Sequence, residues 1–205
     1  MKVKVKICAT RSLEAAEVAF EGGADFLGFV FTPRIKTHTV DSEVVKEISK
    51  QLKGKINLVG VFQNMPLNQV QKIIETCNLD YAQFHGDEPQ EYIKQIKIKT
   101  IKAFRFPGDF DIEDARKQMK QFKVDVYLLD RIEQSEGQMI NLEKASVLAK
   151  EFPLIFAGGL NPENVADVIK KVKPQIVDVA SGVETDGKQD IEKIRKFIRE
   201  AKKNF

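Results

Sequence analysis

The chain has 205 residues, 42% hydrophobic and 31% charged; that is enough apolar material for one substantial core and argues against a disordered chain. Thirty-three lysines and arginines against thirty aspartates and glutamates leave a net charge of +3, too small and evenly spread to predict a nucleic-acid surface. No apolar run reaches transmembrane length, and MKVKVKICAT alternates charged with apolar residues where a secretion signal would be continuously apolar.

A single cytoplasmic domain over residues 1–205, with no nucleic-acid or membrane partner, is therefore expected. Cys8 and Cys77 are too few for a disulfide framework and lack zinc-ligand spacing. In chain order, VKVKI (3–7) is strand-like, and SLEAAEVAFEGG (12–23) reads as a capped amphipathic helix ending in glycines. The pattern repeats with ADFLGFVF (24–31) before DSEVVKEISKQL (41–52), NLVGVF (57–62) before LNQVQKIIETC (67–77), and DYAQFH (80–85) before EPQEYIKQI (88–96). KTIKAFRF (99–106) then precedes DIEDARKQMKQF (111–122), and VDVYLLD (124–130) precedes NLEKASVLAKEF (141–152). Two further units, LIFAGGLNPENV (154–165) and IVDVASGVE (176–184), run a short apolar strand into a glycine turn, and a last helix is expected over about 189–203. Near-continuous apolar strands alternating with helices predict a parallel sheet covered on both faces. Eight such units in one domain favour a closed (β/α)8 TIM barrel over an open doubly wound sheet.

A barrel of this kind gathers its chemistry where the eight βα loops converge, at the C-terminal ends of the strands. Those ends are Cys8, Phe31 with the loop through His38, Gln63 with Asn64, Gln83 with His85, Arg105, Asp130, Gly158 with Gly159, and Ser181 with Gly182. Two of these groups suit proton transfer without a metal. Cys8 can act as a base if Lys6 or loop amides lower its pKa, and Asp130 as an acid if desolvation or an anionic substrate raises its pKa. The rival readings are a buried small hydrophobe for Cys8 and a helix cap or ion pair with Arg131 for Asp130. In the glycine turns, backbone N–H groups can approach an anion closely: Asn161 can cap, Pro162 suits a first helical turn and Glu163 complements the dipole. Gly158, Gly159, Ser181 and Gly182 are thus candidates for a substrate phosphate, with plain tight turns as the alternative. Asp87 and Glu88 read as a helix start, Cys77 as packing, and His38 has no identifiable partner.

Taken in order, VKIC (5–8), GADFLGFVF (23–31), VGVFQN (59–64), QFHGDEP (83–89), IKAFR (101–105), LLD (128–130), AGGLNPENV (157–165) and VDVASGVE (177–184) resemble the phosphoribosylanthranilate isomerase family over nearly the whole chain. The resemblance implies a cofactor-free, metal-free Amadori rearrangement of a phosphorylated aminosugar in tryptophan biosynthesis, by a monomer or homodimer. It assigns Cys8 as general base, Asp130 as general acid, and Gly158, Gly159, Ser181 and Gly182 to the phosphate. Three departures stand beside it. Ala9 replaces a family glycine, which is tolerated only if that backbone angle is not left-handed. The S-x-R motif reads Ile35, Lys36, Thr37, so the arginine for the anthranilate carboxylate is missing; Arg11, Arg34, Lys36 and Arg105 are candidate replacements, with His85 a further candidate substrate contact. The glycine-rich stretch after Asp130 is shortened to RIEQSEGQMINL (131–142) and keeps only Gly137. These departures leave open a barrel that acts on, or only binds, another phosphorylated sugar or amine. A histidine-pathway isomerase would carry Asp where Cys8 stands.

Overall fold

The computed structural model describes residues 2–32, 38–132 and 139–203. Strands β1 (Lys4–Ile7), β2 (Phe26–Val30), β3 (Asn57–Phe62), β4 (Tyr81–Phe84), β5 (Lys99–Phe106), β6 (Val126–Arg131), β7 (Leu154–Phe156) and β8 (Ile176–Val179) pair in parallel in chain order. The ring closes between β8 and β1, with Lys4 opposite Ile176 and Ile7 opposite Val179. The helices are α1 (Leu13–Glu21), α2 (Ser42–Leu52), α3 (Leu67–Thr76), α4 (Gln90–Ile93), α5 (Ile112–Met119), α6 (Leu142–Glu151), α7 (Val165–Val172) and α8 (Ile191–Lys202). The expected (β/α)8 barrel is the observed fold.

Alternation along each strand divides the apolar residues into two layers. Phe26, Val59, Tyr81, Ile101, Leu128, Ile155 and Ile176 fill the lower barrel interior. Outward-facing Leu27, Phe29, Leu58, Phe62, Phe84, Leu129 and Phe156 pack with helix residues such as Ala16, Ile48, Val70, Met119, Leu148, Val168 and Phe197. Side chains of Ser12, Asp41, Asp111, Asn141 and Asp190 accept backbone N–H groups at the starts of α1, α2, α5, α6 and α8, satisfying donors that a helix leaves open at its N-terminus. Among the described residues no helix is long and apolar enough to cross a membrane.

Two local expectations need correction, and one element is added. The helix expected over 88–96 is a single turn, α4, because Pro89 sets its start and the chain beyond it tightens into Gln95 N–H to Tyr92 C=O and Ile96 N–H to Ile93 C=O bonds. Pro162 lies in a turn ahead of α7, whose regular part begins at Val165; Asn161 Oδ1 still caps that turn, accepting from Glu163 N–H at 2.9 Å and Asn164 N–H at 3.0 Å. Ser181–Val183 forms one 3-10 turn and leads into an antiparallel hairpin, β9 (Glu184–Thr185) with β10 (Lys188–Gln189). Asp186 (φ +51) and Gly187 (φ +72) supply the two left-handed positions of its turn, so an Asp-Gly pair carried the signal for it.

The α6 cap tests this account of the helix starts. Asn141 Oδ1 accepts from Glu143 and Lys144 N–H, each at 3.1 Å. Asn141→Ala is expected to lower the unfolding free energy by about 1 kcal/mol, read from the urea midpoint at unchanged m-value.

Candidate active site

The register of barrel closure builds the first half of the site. Lys6 on β1 lies directly opposite Asp178 on β8, both pointing inward, and Lys6 Nζ donates to the two carboxylate oxygens at 3.0 Å each. Lys6 is fully buried. Cys8, two residues on and facing the same way, lies near enough to Lys6 and Asp178 for both to act on its ionisation. Room for Cys8 and Lys6 comes from Gly28 on β2, where a Cβ would lie 2.7 Å from Cys8 Sγ and 2.9 Å from Lys6 Nζ. The loop after Cys8 is pinned by the hairpin, with Gln189 Nε2 donating to Cys8 C=O at 3.3 Å and Gln189 Oε1 accepting from Arg11 N–H at 3.3 Å.

This surrounding changes the expected electrostatics of Cys8. Burial is the largest influence and pushes the thiol above its ordinary value; Lys6 draws it down and Asp178 pushes it up again. The lowering expected from Lys6 is thus present but outweighed by desolvation. Lys6 itself is held as an ammonium: burial disfavours its charge, and Asp178 and Cys8 more than restore it. Burial also pushes the Asp178 carboxyl up, against the pull of Lys6. Ala9 does lie at φ +56, in the left-handed region that an alanine was expected to avoid. That conformation costs about 1 kcal/mol, partly offset by burial of its methyl among Cys8, Val30 and Val61.

The second half lies across the mouth. Asp130 Oδ2 is 3.2 Å from His85 Nε2, and Oδ1 accepts from Arg131 N–H at 2.8 Å. Arg131 therefore touches this carboxylate through its backbone. The other ring nitrogen, His85 Nδ1, is 3.2 Å from Gln83 Nε2. If the Gln83 amide donates there, His85 carries its proton on Nε2 and donates to Asp130. Gly158 (φ +81) packs against the same group; a Cβ there would lie 2.6 Å from Asp130 Oδ1.

Both glycine turns open beside this carboxylate. Gly158 and Gly159 take consecutive left-handed angles, φ +81 and +83, and the Arg131 side chain lies alongside, its Nη1 3.4 Å from where a Gly159 Cβ would sit. The turns pack against each other so closely that a Cβ on Gly182 would fall 1.8 Å from the Leu160 carbonyl oxygen.

Cys8, His85, Arg105, Asp130, Gly158, Gly159, Ser181 and Gly182 all line one cavity of about 510 Å³, together with Asp178, Gln83 and Thr32. Arg34 and Lys36 lie outside the described residues. Arg11 is directed to Glu184 Oε1 at 2.8 Å and Gly187 C=O at 2.9 Å, and His38 also meets Glu184, at 3.2 Å. Arg105 is exposed at the rim, opposite Asp130 in strand register. Asp178 and Gly28 were not singled out from the sequence, although a lone Asp in the apolar run IVDV and a Gly amid ADFLGFVF are the marks that expose them. Among the described residues no group of three or more His, Cys, Asp or Glu is placed to hold a metal ion.

The fold and this mouth define a (β/α)8 barrel whose thiol, carboxylate and glycine turns share one cavity, a layout suited to acid–base chemistry on an anionic small molecule. Residues 5–200 match the family model described as N-(5'-phosphoribosyl)anthranilate (PRA) isomerase, and the chain belongs to that family. Relatives carrying that name include one from Thermoanaerobacter pseudethanolicus, 40% identical, and one from Bacillus cereus strain Q1, 39% identical, each alignment covering 98% of both chains. The solved phosphoribosylanthranilate isomerase of Thermotoga maritima superposes with a TM-score of 0.87 at 36% identity, again over 98% of both chains.

Ionisation of Cys8 follows from the charges around it. With Cys77 replaced by alanine, alkylation of Cys8 by iodoacetamide is expected to rise with pH along a curve displaced upward from a free thiol. Lys6→Met should move that curve further up and Asp178→Asn should move it down. An unshifted wild-type curve, or the opposite order of variants, overturns the electrostatic account.

Proposed function

We propose that this chain catalyses the rearrangement of N-(5'-phosphoribosyl)anthranilate to 1-(o-carboxyphenylamino)-1-deoxyribulose 5-phosphate, a step of tryptophan biosynthesis, as a cytoplasmic monomer or homodimer. The supporting observation is that a thiol and a carboxylate from opposite sides of the barrel and the two glycine turns open into one cavity, in a chain whose full-length relatives bear this isomerase's name. One solved relative, 36% identical, was captured with reduced 1-(o-carboxyphenylamino)-1-deoxyribulose 5-phosphate.

In this reading Asp130 is the acid. Its proton goes to the ribose ring oxygen, the C1′–O bond breaks, and the nitrogen lone pair forms the protonated Schiff base. The Cys8 thiolate then takes the proton from C2′, and the electron pair left behind moves into the imine to give an enolamine, which tautomerises to the ketose. The electron demand of the imine lowers the barrier to C–H cleavage, so the residues supply proton transfer and placement. Lys6 stabilises the thiolate, and His85 orients the Asp130 carboxyl. Backbone N–H groups around Gly158, Gly159, Ser181 and Gly182 hold the phosphate far from the reacting carbons, contributing orientation and remote binding energy. At the rim, Arg105 is our candidate for the anthranilate carboxylate, and Arg34 and Lys36 are the other cations the sequence offers.

Loss of anthranilate fluorescence from freshly generated substrate is the direct measurement. Cys8→Ala and Asp130→Asn are each expected to reduce kcat by about 100-fold or more in folded protein. Unchanged turnover in either variant removes that residue from the mechanism, while no wild-type turnover above the spontaneous rate overturns the reading and points to another phosphorylated sugar or amine. Gly182→Ala, whose new methyl meets the Leu160 carbonyl, is expected to raise KM more than it lowers kcat; the reverse split would place the phosphate elsewhere.

A further inference from the structure

Behind the barrel wall, outside the cavity, lies an ion pair that the proposed chemistry leaves unused. Glu88 and Lys102 are both only 4% exposed. Glu88 does not start a helix, as expected from sequence; Pro89 precedes α4 instead, and the Glu88 carboxylate turns inward. Its Oε1 accepts from Asn64 N–H at 2.6 Å, and its Oε2 accepts from Gly86 N–H at 3.0 Å and faces Lys102 Nζ at 3.3 Å. Lys102 comes from the outer face of β5 and donates to the Gly86 carbonyl at 2.5 Å, with its ammonium 5.7 Å from the centre of the Phe122 ring. Gly86 is thus held at both its N–H and its C=O by the two members of one buried ion pair.

The neighbouring peptides are held as well. His85 N–H donates to Phe62 C=O at 2.8 Å, and Asp87 N–H donates to Asn64 Oδ1 at 2.7 Å. Asn64 reaches this position through a left-handed turn at φ +49, and it fits against Gly86 because residue 86 has no side chain: a Cβ would lie 2.4 Å from Asn64 Oδ1. The His85 N–H makes the last bond of the β3–β4 ladder, and the next two N–H groups, at residues 86 and 87, which the ladder would leave open, are taken by Glu88 and Asn64. The side chain at the front of this clamp is His85, 3.2 Å from Asp130 Oδ2.

An ion pair buried this deeply is a poor way to gain stability, since desolvation of the two charges offsets most of their attraction. Burial indeed pushes Lys102 below the ordinary lysine range, with Glu88 only partly restoring it. What a well-packed apolar pair could not do is accept two backbone N–H groups and donate to a carbonyl at the same time. We propose that Glu88 and Lys102 are positioning residues, which lock the His85 peptide and so fix the imidazole against the Asp130 carboxylate. The inference rests on the isomerase reading for its kinetic consequence only.

Glu88→Gln alone leaves Lys102 buried and unpaired and is expected to fold poorly, so the informative protein is Glu88→Gln/Lys102→Met, which carries no unpaired charge. It is expected to unfold cooperatively and to retain KM within about two-fold, while kcat falls about ten-fold through misplacement of the acid. Combined with His85→Asn, the same pair of changes should cost less than about two-fold more, because both act through one contact. Multiplying losses, or unchanged kcat in the double variant, would overturn the proposal. A second arm needs no turnover. The chain has two histidines, His38 and His85, and the ring 15N–1H signals of His85 should shift in the double variant while those of His38 stay in place. If wild type proves inactive toward the aminosugar, the reading of function fails and this arm still decides the clamp; unmoved His85 signals would reject it.

Discussion

Closure of the sheet between β8 and β1 is the constraint on which everything at the mouth depends. Its register puts Lys6 beside Asp178, partners 172 positions apart in the chain, and so carries a charged pair into the barrel interior. A slip of one residue would turn Lys6 and Cys8 outward toward the helices. The pairing that closes the fold and the pairing that sets the charge beside the thiol are thus one event. The same dependence explains why so much of the contact at the mouth is long-range: the hairpin reaches back from Gln189 to Cys8, binding the last loop to the first.

Two buried ion pairs serve different ends in this barrel. Lys6–Asp178 faces the cavity, where its field acts on whatever titrates there; Cys8 is pulled in opposite directions by its two members. Glu88–Lys102 faces away from it and bonds mainly to backbone. Because desolvation cancels much of the attraction in each, neither is explained by stability. The first sets charge, the second sets place, and both act on the upper rim, where regular hydrogen bonding ends and side chains must complete what the ladder no longer supplies.

The sequence was legible wherever a signal was local. Alternating apolar strands, capping residues and the position of Cys8 and Asp130 at strand ends gave the barrel, its register of units and the two residues proposed for proton transfer. Asp178 was hidden because one acid in IVDV does not reveal which strand will lie beside it; only closure supplies Lys6. Glu88 was misread because acids near Pro89 usually serve a helix start, and its true ligands, Asn64 and Lys102, come from two other units. The hairpin carries only the short Asp186-Gly187 signal, which stands next to the much longer helical period of α8. Ala9 shows the limit of a steric rule: a left-handed alanine is costly, and burial of its methyl in the cavity wall compensates locally.

Glycines at the mouth connect these levels. Gly28 makes room for Cys8 and Lys6, Gly158 for Asp130, Gly86 for Asn64, and Gly182 for the Leu160 carbonyl. Each absent side chain is filled by a functional group or by the backbone of a neighbouring loop, so the cavity floor has little slack. Of the departures from the family pattern, Ala9 lies in this cavity wall, and the others fall in residues 35–37 and 131–142. A methyl at residue 28 or 182 would have to displace Cys8 and Lys6 or a loop backbone. Close packing around these glycines therefore leaves little room for change beside the residues proposed to move protons and hold phosphate.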